Sequence, residues 1–62
     1  MTYTELASRA GISPSYANEI MNGQRSPSLA TALKIWRATD LRFGVLVGLS
    51  HQTIAALDKQ AA

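Results

Sequence analysis

Hydrophobic positions along the chain recur at intervals of three and four residues, which is the spacing of one helix face. Four segments carry this pattern, with apolar positions at Leu6, Ala7 and Ala10; Ala17, Ile20 and Met21; Leu29, Ala32, Leu33 and Trp36; and Ile54 and Leu57. The pattern predicts an all-α fold, a compact bundle of four to five short helices around one small core.

Short polar residues and glycines predict where these helices begin and end. Thr2 and Glu5 fit a capping box, and Ser13 before Pro14 fits an N-cap followed by the first helical position. Gly11 is expected to end the first helix, because glycine readily adopts the left-handed conformation of a sharp turn. Further boundaries are predicted at Asn22-Gly23, Ser28, Thr39-Asp40 and Ser50.

Residues 41–49 fit neither a helix nor a strand cleanly. Leu41, Phe43, Val45 and Val47 alternate as in a strand, but Leu46 and two glycines interrupt the alternation. We favour a short helix or an irregular turn over a strand in this segment.

The chain has 62 residues, 47% of them hydrophobic, and no cysteine. This length suits a single domain over residues 1–62 and leaves no room for a separate catalytic domain. The absence of cysteine excludes disulfides and thiolate zinc sites. One histidine and four scattered carboxylates show no catalytic or metal-binding spacing, so we expect no enzyme activity, no metal and no cofactor.

The charge balance is mildly basic, with a net charge of +2 and a pI of about 9.5. This balance permits a polyanionic partner without requiring one. The apolar run at residues 43–49 is far shorter than the roughly 20 residues needed to span a bilayer, and no signal-peptide pattern is present. We therefore expect a cytoplasmic protein that is associated with the nucleoid, with no membrane partner and no small-molecule ligand.

The order of helix, tight glycine turn and helix across residues 3–22 points to a function. Two helices joined by so short a turn need a small residue where their backbones approach, and Ala7 lies there. Gly11 supplies the turn, and Ile12 and Ile20 are placed to fix both helices to the core. The second helix, at about 14–22, would then have one free face that can enter a DNA major groove.

These positions resemble the prokaryotic helix-turn-helix domains of the Cro and lambda-repressor type. The matching residues are Glu5-Leu6-Ala7, Ala10-Gly11-Ile12-Ser13, Ile20, Asn22-Gly23, Arg25, Pro27-Ser28-Leu29 and Leu33-Lys34-Ile35, within a resemblance that covers residues 2–47. The sequence departs from the family in two ways. The helix that usually precedes the motif is missing or very short, and Ala17 replaces a usual valine or isoleucine. The alanine predicts a shallower pocket, or one filled by Trp36.

The resemblance implies a small transcriptional regulator, similar to Cro-like repressors of phages and prophages, with residues 14–22 as its recognition helix. Base readout is expected from Ser13, Ser15, Tyr16, Asn18 and Glu19, and DNA backbone contacts from Tyr3, Asn22, Gln24, Arg25 and Ser28. Asn18 can bond bidentately to adenine, and Glu19 can accept from the cytosine amino group. Because phosphates repel a carboxylate, Glu19 is either a specificity determinant or a residue turned aside.

A Cro-like repressor would bind a pseudo-palindromic double-stranded operator as a homodimer. The apolar residues of the supporting region 41–62 exceed what so small a core needs, so we expect dimer contacts among Val45, Leu46, Val47, Leu49, Ile54 and Leu57. The alternative is a helix-turn-helix fold that binds protein, as in an antitoxin or antirepressor. The exposed helix face favours DNA, since it carries short hydrogen-bonding side chains rather than large apolar anchors.

Overall fold

The computed structural model describes residues 1–61. It contains four α-helices, α1 (Tyr3–Ala10), α2 (Pro14–Met21), α3 (Leu29–Thr39) and α4 (His51–Ala61), and a single 3-10 turn at Gly44–Leu46. No strand occurs in this part of the chain, so the predicted all-helical bundle is confirmed. The 3-10 turn also confirms that residues 41–49 form a short helical turn and irregular structure rather than a strand.

The polar residues predicted to start the helices cap them in the structure. Each accepts a hydrogen bond from a backbone N–H of the first helical turn, which the helix itself leaves unpaired. The acceptors are the hydroxyls of Thr2 (3.2 Å), Ser13 (3.1 Å), Ser28 (3.4 Å) and Ser50 (3.2 Å). The predicted capping box is only half formed, because the Glu5 carboxylate accepts from the Thr2 hydroxyl at 3.4 Å instead of from its backbone.

Helix α3 lies at the centre of the fold, because its two sides belong to two different core clusters. Ile35 joins the residues buried between α1 and α2, which are Leu6, Ala7, Ala10, Ala17 and Ile20. Ala32 and Leu33 join Leu46 of the 3-10 turn and Ile54 of α4 in the second cluster. The helix-turn-helix therefore packs on one side of α3, and residues 44–57 pack on the other.

Two apolar side chains lie elsewhere than the helical pattern predicts, and a third, Trp36, follows the pattern but excludes one expected packing. Met21 and Leu29 are exposed at the ends of their helices instead of lying in the core. Trp36 packs against the second cluster and lies beside His51, with ring centroids 5.3 Å apart, so the alternative in which it fills the pocket beside Ala17 is wrong. Partly buried residues of the first cluster cover that side instead, namely Ile12, Tyr16, Leu41 and Phe43.

The structure removes two residues from the predicted dimer contact. Leu46 and Ile54 are fully buried within one protomer, because the 3-10 turn and α4 both close over α3. Leu49 and Leu57 are half-buried against the same cluster. Val45 and Val47 are 59% and 66% exposed, so these two valines are the open apolar positions of the predicted set.

Candidate nucleic-acid interface

The turn between α1 and α2 is held by its own backbone. Gly11 caps α1 in the left-handed conformation, with φ 69° and ψ 35°, as the sequence predicts. The N–H groups of Gly11 and Ile12 both donate to the carbonyl of Ala7, at 2.9 and 3.1 Å. Two residues later Ser13 caps α2, so the second helix begins immediately after a compact turn.

Helix α2 has a buried side and an exposed side. Ala17 and Ile20 are buried in the first cluster, which fixes the helix to α1 and α3. Ser15, Asn18 and Asn22 are exposed at spacings of three and four residues, so they share one face of the helix or its C-cap. This exposed face carries hydroxyl and amide groups, which can both donate and accept hydrogen bonds.

A hydrogen bond joins the two asparagines on this face. The side-chain amide of Asn22 donates to Oδ1 of Asn18 at 3.1 Å. The bond fixes the orientation of the Asn18 side chain and leaves both of its N–H donors and one lone pair of its carbonyl oxygen for a ligand. Asn18 can thus offer a donor and an acceptor side by side, which is the pair of groups that adenine binds in the major groove.

Tyr16 and Glu19, both predicted to contact bases, lie beside Arg25 in the structure. Glu19 Oε2 is 3.6 Å from a guanidinium nitrogen of Arg25. The Arg25 guanidinium carbon also lies 5.1 Å from the centre of the Tyr16 ring, which is within the range of a cation–π contact. The loop after α2 therefore folds back on the helix, and these three side chains form one group.

The remaining predicted site residues are exposed at the ends of other elements. Tyr3 begins α1, Gln24 follows α2, and Ser28 caps α3 with its hydroxyl. The hydroxyl oxygen of Ser13 accepts from the backbone N–H of Tyr16, so its hydrogen and its second lone pair stay available to a ligand. The structure thus joins Asn18 with Asn22, and Arg25 with Tyr16 and Glu19, while Tyr3 begins α1 and Ser28 caps α3.

A contact that the sequence does not reveal anchors the loop carrying Arg25. Pro27 is buried, and Gly44 of the 3-10 turn lies so close to it that a Cβ at position 44 would be 3.1 Å from the Pro27 carbonyl oxygen. The backbone of Gly44 is also left-handed, with φ 61°. Two glycines in residues 41–49 indicated turns, but their spacing could not identify which glycine meets Pro27.

Three ion pairs are formed in the described residues, and each joins an arginine to a carboxylate. Arg9 lies 3.9 Å from Glu5, Arg25 lies 3.6 Å from Glu19, and Arg37 lies 2.6 Å from Asp58. The pair at Arg25 is the one next to the exposed face of α2. The positive charge beside that face is therefore partly offset by Glu19.

A helix-turn-helix whose second helix exposes hydrogen-bonding side chains has the architecture of a double-stranded-DNA-binding protein. The sequence profile of the helix-turn-helix family matches residues 1–46, which is more than half of the chain. The chain belongs to this family, of the Cro and lambda-repressor type, and is a DNA-binding protein of the transcriptional-regulator kind. No curated protein and no solved structure shows a significant match.

Residues 1–61 contain neither a membrane-spanning helix nor a metal-binding cluster. No helix there has the length and hydrophobicity needed to cross a membrane. No group of three or more histidine, aspartate and glutamate side chains there is arranged to hold a metal ion.

Proposed function

We propose that the protein is a transcriptional repressor that binds a pseudo-palindromic operator as a homodimer, with α2 in the major groove. The observation that carries the proposal is the exposed face of α2, where Ser15, Asn18 and Asn22 present hydrogen-bonding groups opposite a fully packed side. Met21 is the large aliphatic side chain that α2 exposes. A helix that docks on protein typically presents a cluster of aromatic or aliphatic anchors instead.

Base readout in this proposal centres on Asn18. Its amide, oriented by Asn22, bonds to N6 and N7 of an adenine, while the hydroxyl of Ser15 serves either a donor or an acceptor. Ser13 lies at the N-terminal end of α2, the end that enters the groove in this class of protein, and donates its hydroxyl hydrogen.

Phosphate contacts in this proposal come from residues around α2. Tyr3, Asn22, Gln24 and Arg25 supply a hydroxyl, two amides and one guanidinium. Ser28 brings the N-terminus of α3, where free backbone N–H groups and the helix dipole favour an anion. Such contacts position the protein on the duplex without selecting a sequence.

The dimer in this proposal forms through the segment between α3 and α4. Val45 and Val47 project into solvent on either side of the buried Leu46, and Leu49 and Leu57 contribute their exposed edges. Each copy would then meet one half-site, with half-sites separated by one helical turn, ~34 Å. We expect sedimentation at tens of micromolar to give a dimer, and Val47→Asp to give a monomer of unchanged helicity. Wild-type protein that sediments only as a monomer would end this part of the proposal.

The DNA part is tested by selecting binding sites from a random duplex library, with DNA upstream of the protein's own gene as a second probe. We expect a defined consensus to be enriched. Asn18→Ala should weaken binding to the consensus by about 1–3 kcal/mol per half-site, roughly 5- to 150-fold, because it removes both bonds to one base in each half-site. Gln52→Ala, on the exposed surface of α4, is the control for handling and folding.

Binding of Asn18→Ala to unselected DNA should be almost unchanged. If Asn18→Ala lowers the affinity for consensus and for unselected DNA by the same factor, Asn18 contacts no base. If the selection enriches no sequence at all, the protein does not act as a sequence-specific regulator.

A further inference from the structure

The loop that follows α2 is folded back by a helix-ending motif. Gln24 N–H donates to the carbonyl of Glu19 at 2.9 Å, and Gly23 N–H donates to that of Ile20 at 3.2 Å, with Gly23 left-handed at φ 74°. These are the two hydrogen bonds of the Schellman motif. The motif places Arg25, the next residue, beside the last turn of α2, so its position follows from the backbone and not from the side chains alone.

Two side chains of α2 hold the guanidinium group in that position. A carboxylate oxygen of Glu19 lies 3.6 Å from a guanidinium nitrogen, and the centre of the Tyr16 ring lies 5.1 Å from the guanidinium carbon. Both contacts come from residues three positions apart on one side of α2, so they act on the guanidinium together. The Glu19 carboxylate is thereby directed towards Arg25.

We propose that Glu19 contacts no base and instead competes with DNA phosphates for Arg25, which lowers the affinity of the protein for DNA of every sequence. The proposal rests on the proposed function, since it assumes that α2 and the following loop meet DNA. Arg25 must exchange the Glu19 carboxylate for a phosphate when DNA binds. Glu19 is thus a positioning residue that acts through Arg25.

The size of the effect follows from the exposure of the pair. The Arg25 and Glu19 side chains are 62% and 39% exposed, so the ion pair is weak and screened by salt. Freeing Arg25 should therefore tighten DNA binding about two- to fivefold per half-site at low salt. Because Arg25 contacts a phosphate in both bound proteins, the slope of log affinity against log salt should change by much less than the ~0.9 that a new phosphate contact would give. The affinity gain of Glu19→Gln should instead shrink as salt screens the ion pair.

The experiment compares Glu19→Gln, Arg25→Gln and the double variant on consensus and unselected duplexes over a salt series. Glu19→Gln should tighten binding to both duplexes by the same factor. In the Arg25→Gln background, Glu19→Gln should change neither the DNA affinity nor its dependence on salt. Asp58→Asn is the matched control, because it removes one carboxylate from the Arg37 ion pair on α3 and α4.

Four results would overturn the proposal. Weaker binding of Glu19→Gln to the consensus alone would make Glu19 a base contact. If Glu19→Gln tightens DNA binding equally with and without Arg25, the effect is only the loss of repulsion between a carboxylate and the phosphates. The same conclusion follows if Asp58→Asn tightens binding as much as Glu19→Gln does. An unchanged affinity in Glu19→Gln would show that the ion pair does not restrain Arg25.

A measurement without DNA separates this proposal from the proposed function. In the free protein, the Tyr16 ring current should shift the NMR signals of the Arg25 side chain, and Glu19→Gln should change those shifts. Random-coil shifts for Arg25 would refute the contact itself. If the shifts are present but wild-type protein binds no duplex, the DNA-binding proposal fails while the contact stands.

Discussion

Replacement of Gly44 by alanine tests the contact that anchors the loop after α2. The backbone at Gly44 is left-handed, so any Cβ there costs about 1 kcal/mol. The new Cβ would also lie 3.1 Å from the carbonyl oxygen of Pro27 and 3.3 Å from two of its ring carbons. Because Pro27 is buried and cannot turn away, we add about 1–3 kcal/mol for overpacking, which gives a total of about 2–4 kcal/mol.

Gly11→Ala is the matched control for this substitution. Gly11 is left-handed too, with φ 69°, but its added Cβ would meet no atom within 4 Å. It should therefore carry the conformational cost alone, about 1 kcal/mol. The difference between the two variants isolates the contact with Pro27 from the strain of the backbone.

Urea unfolding followed by Trp36 fluorescence and by circular dichroism measures both variants. A domain of this size typically has a free energy of unfolding of about 3–9 kcal/mol, so the Gly44→Ala variant should lose a large part of its stability. In thermal unfolding its Tm should lie at least ~4 °C below that of Gly11→Ala. Equal losses in the two variants would show that Pro27 gives way at no cost, and the loop would then not be anchored by Gly44.

Two further substitutions test the α3 side of the fold. Ile54→Ala should cost about 2–5 kcal/mol in urea unfolding, because Ile54 is fully buried beside Leu33 and Leu46. A loss below 1 kcal/mol would mean that α4 is not part of the core. Asp40→Gly should stabilise the protein by about 0.5–1 kcal/mol, because Asp40 is a non-glycine residue at φ 62° and places a carboxylate at the C-terminus of α3. An unchanged or lower Tm would contradict this explanation.

The helices could be predicted from the sequence because the signals that start and end them are local. A serine cap before Pro14 and a glycine after Ala10 act within one turn of chain, and the structure contains both boundaries. The burial of Leu46 and Ile54 was not predictable in this way. It depends on which side of α3 the segment after Asp40 packs, and an apolar pattern alone does not distinguish a core position from a subunit contact.

The exposed face of α2 was predictable from the sequence, like the helix boundaries. The exposure of Asn18 follows from helical spacing once Ala17 and Ile20 are assigned to the core. The surroundings of Glu19 were not. Its partner Arg25 comes from the loop, and the loop returns to α2 only through the Schellman hydrogen bonds at Gly23 and Gln24. Such a return depends on backbone geometry, which the sequence indicates at Gly23 without fixing the direction of the residues that follow.

The low charge beside α2 bears on how the proposed repressor would find its operator. With Arg25 engaged by Glu19, sequence-independent attraction to phosphates is weak, so a single protomer gains little from DNA that lacks its half-site. Affinity for the operator must then come from base contacts and from the linkage of two half-sites through a dimer, because the second copy binds at a high effective concentration once the first is bound. Weak dimerisation through Val45 and Val47 would make occupancy rise steeply with protein concentration. A monomeric variant should therefore lose operator binding far more than it loses binding to unselected DNA.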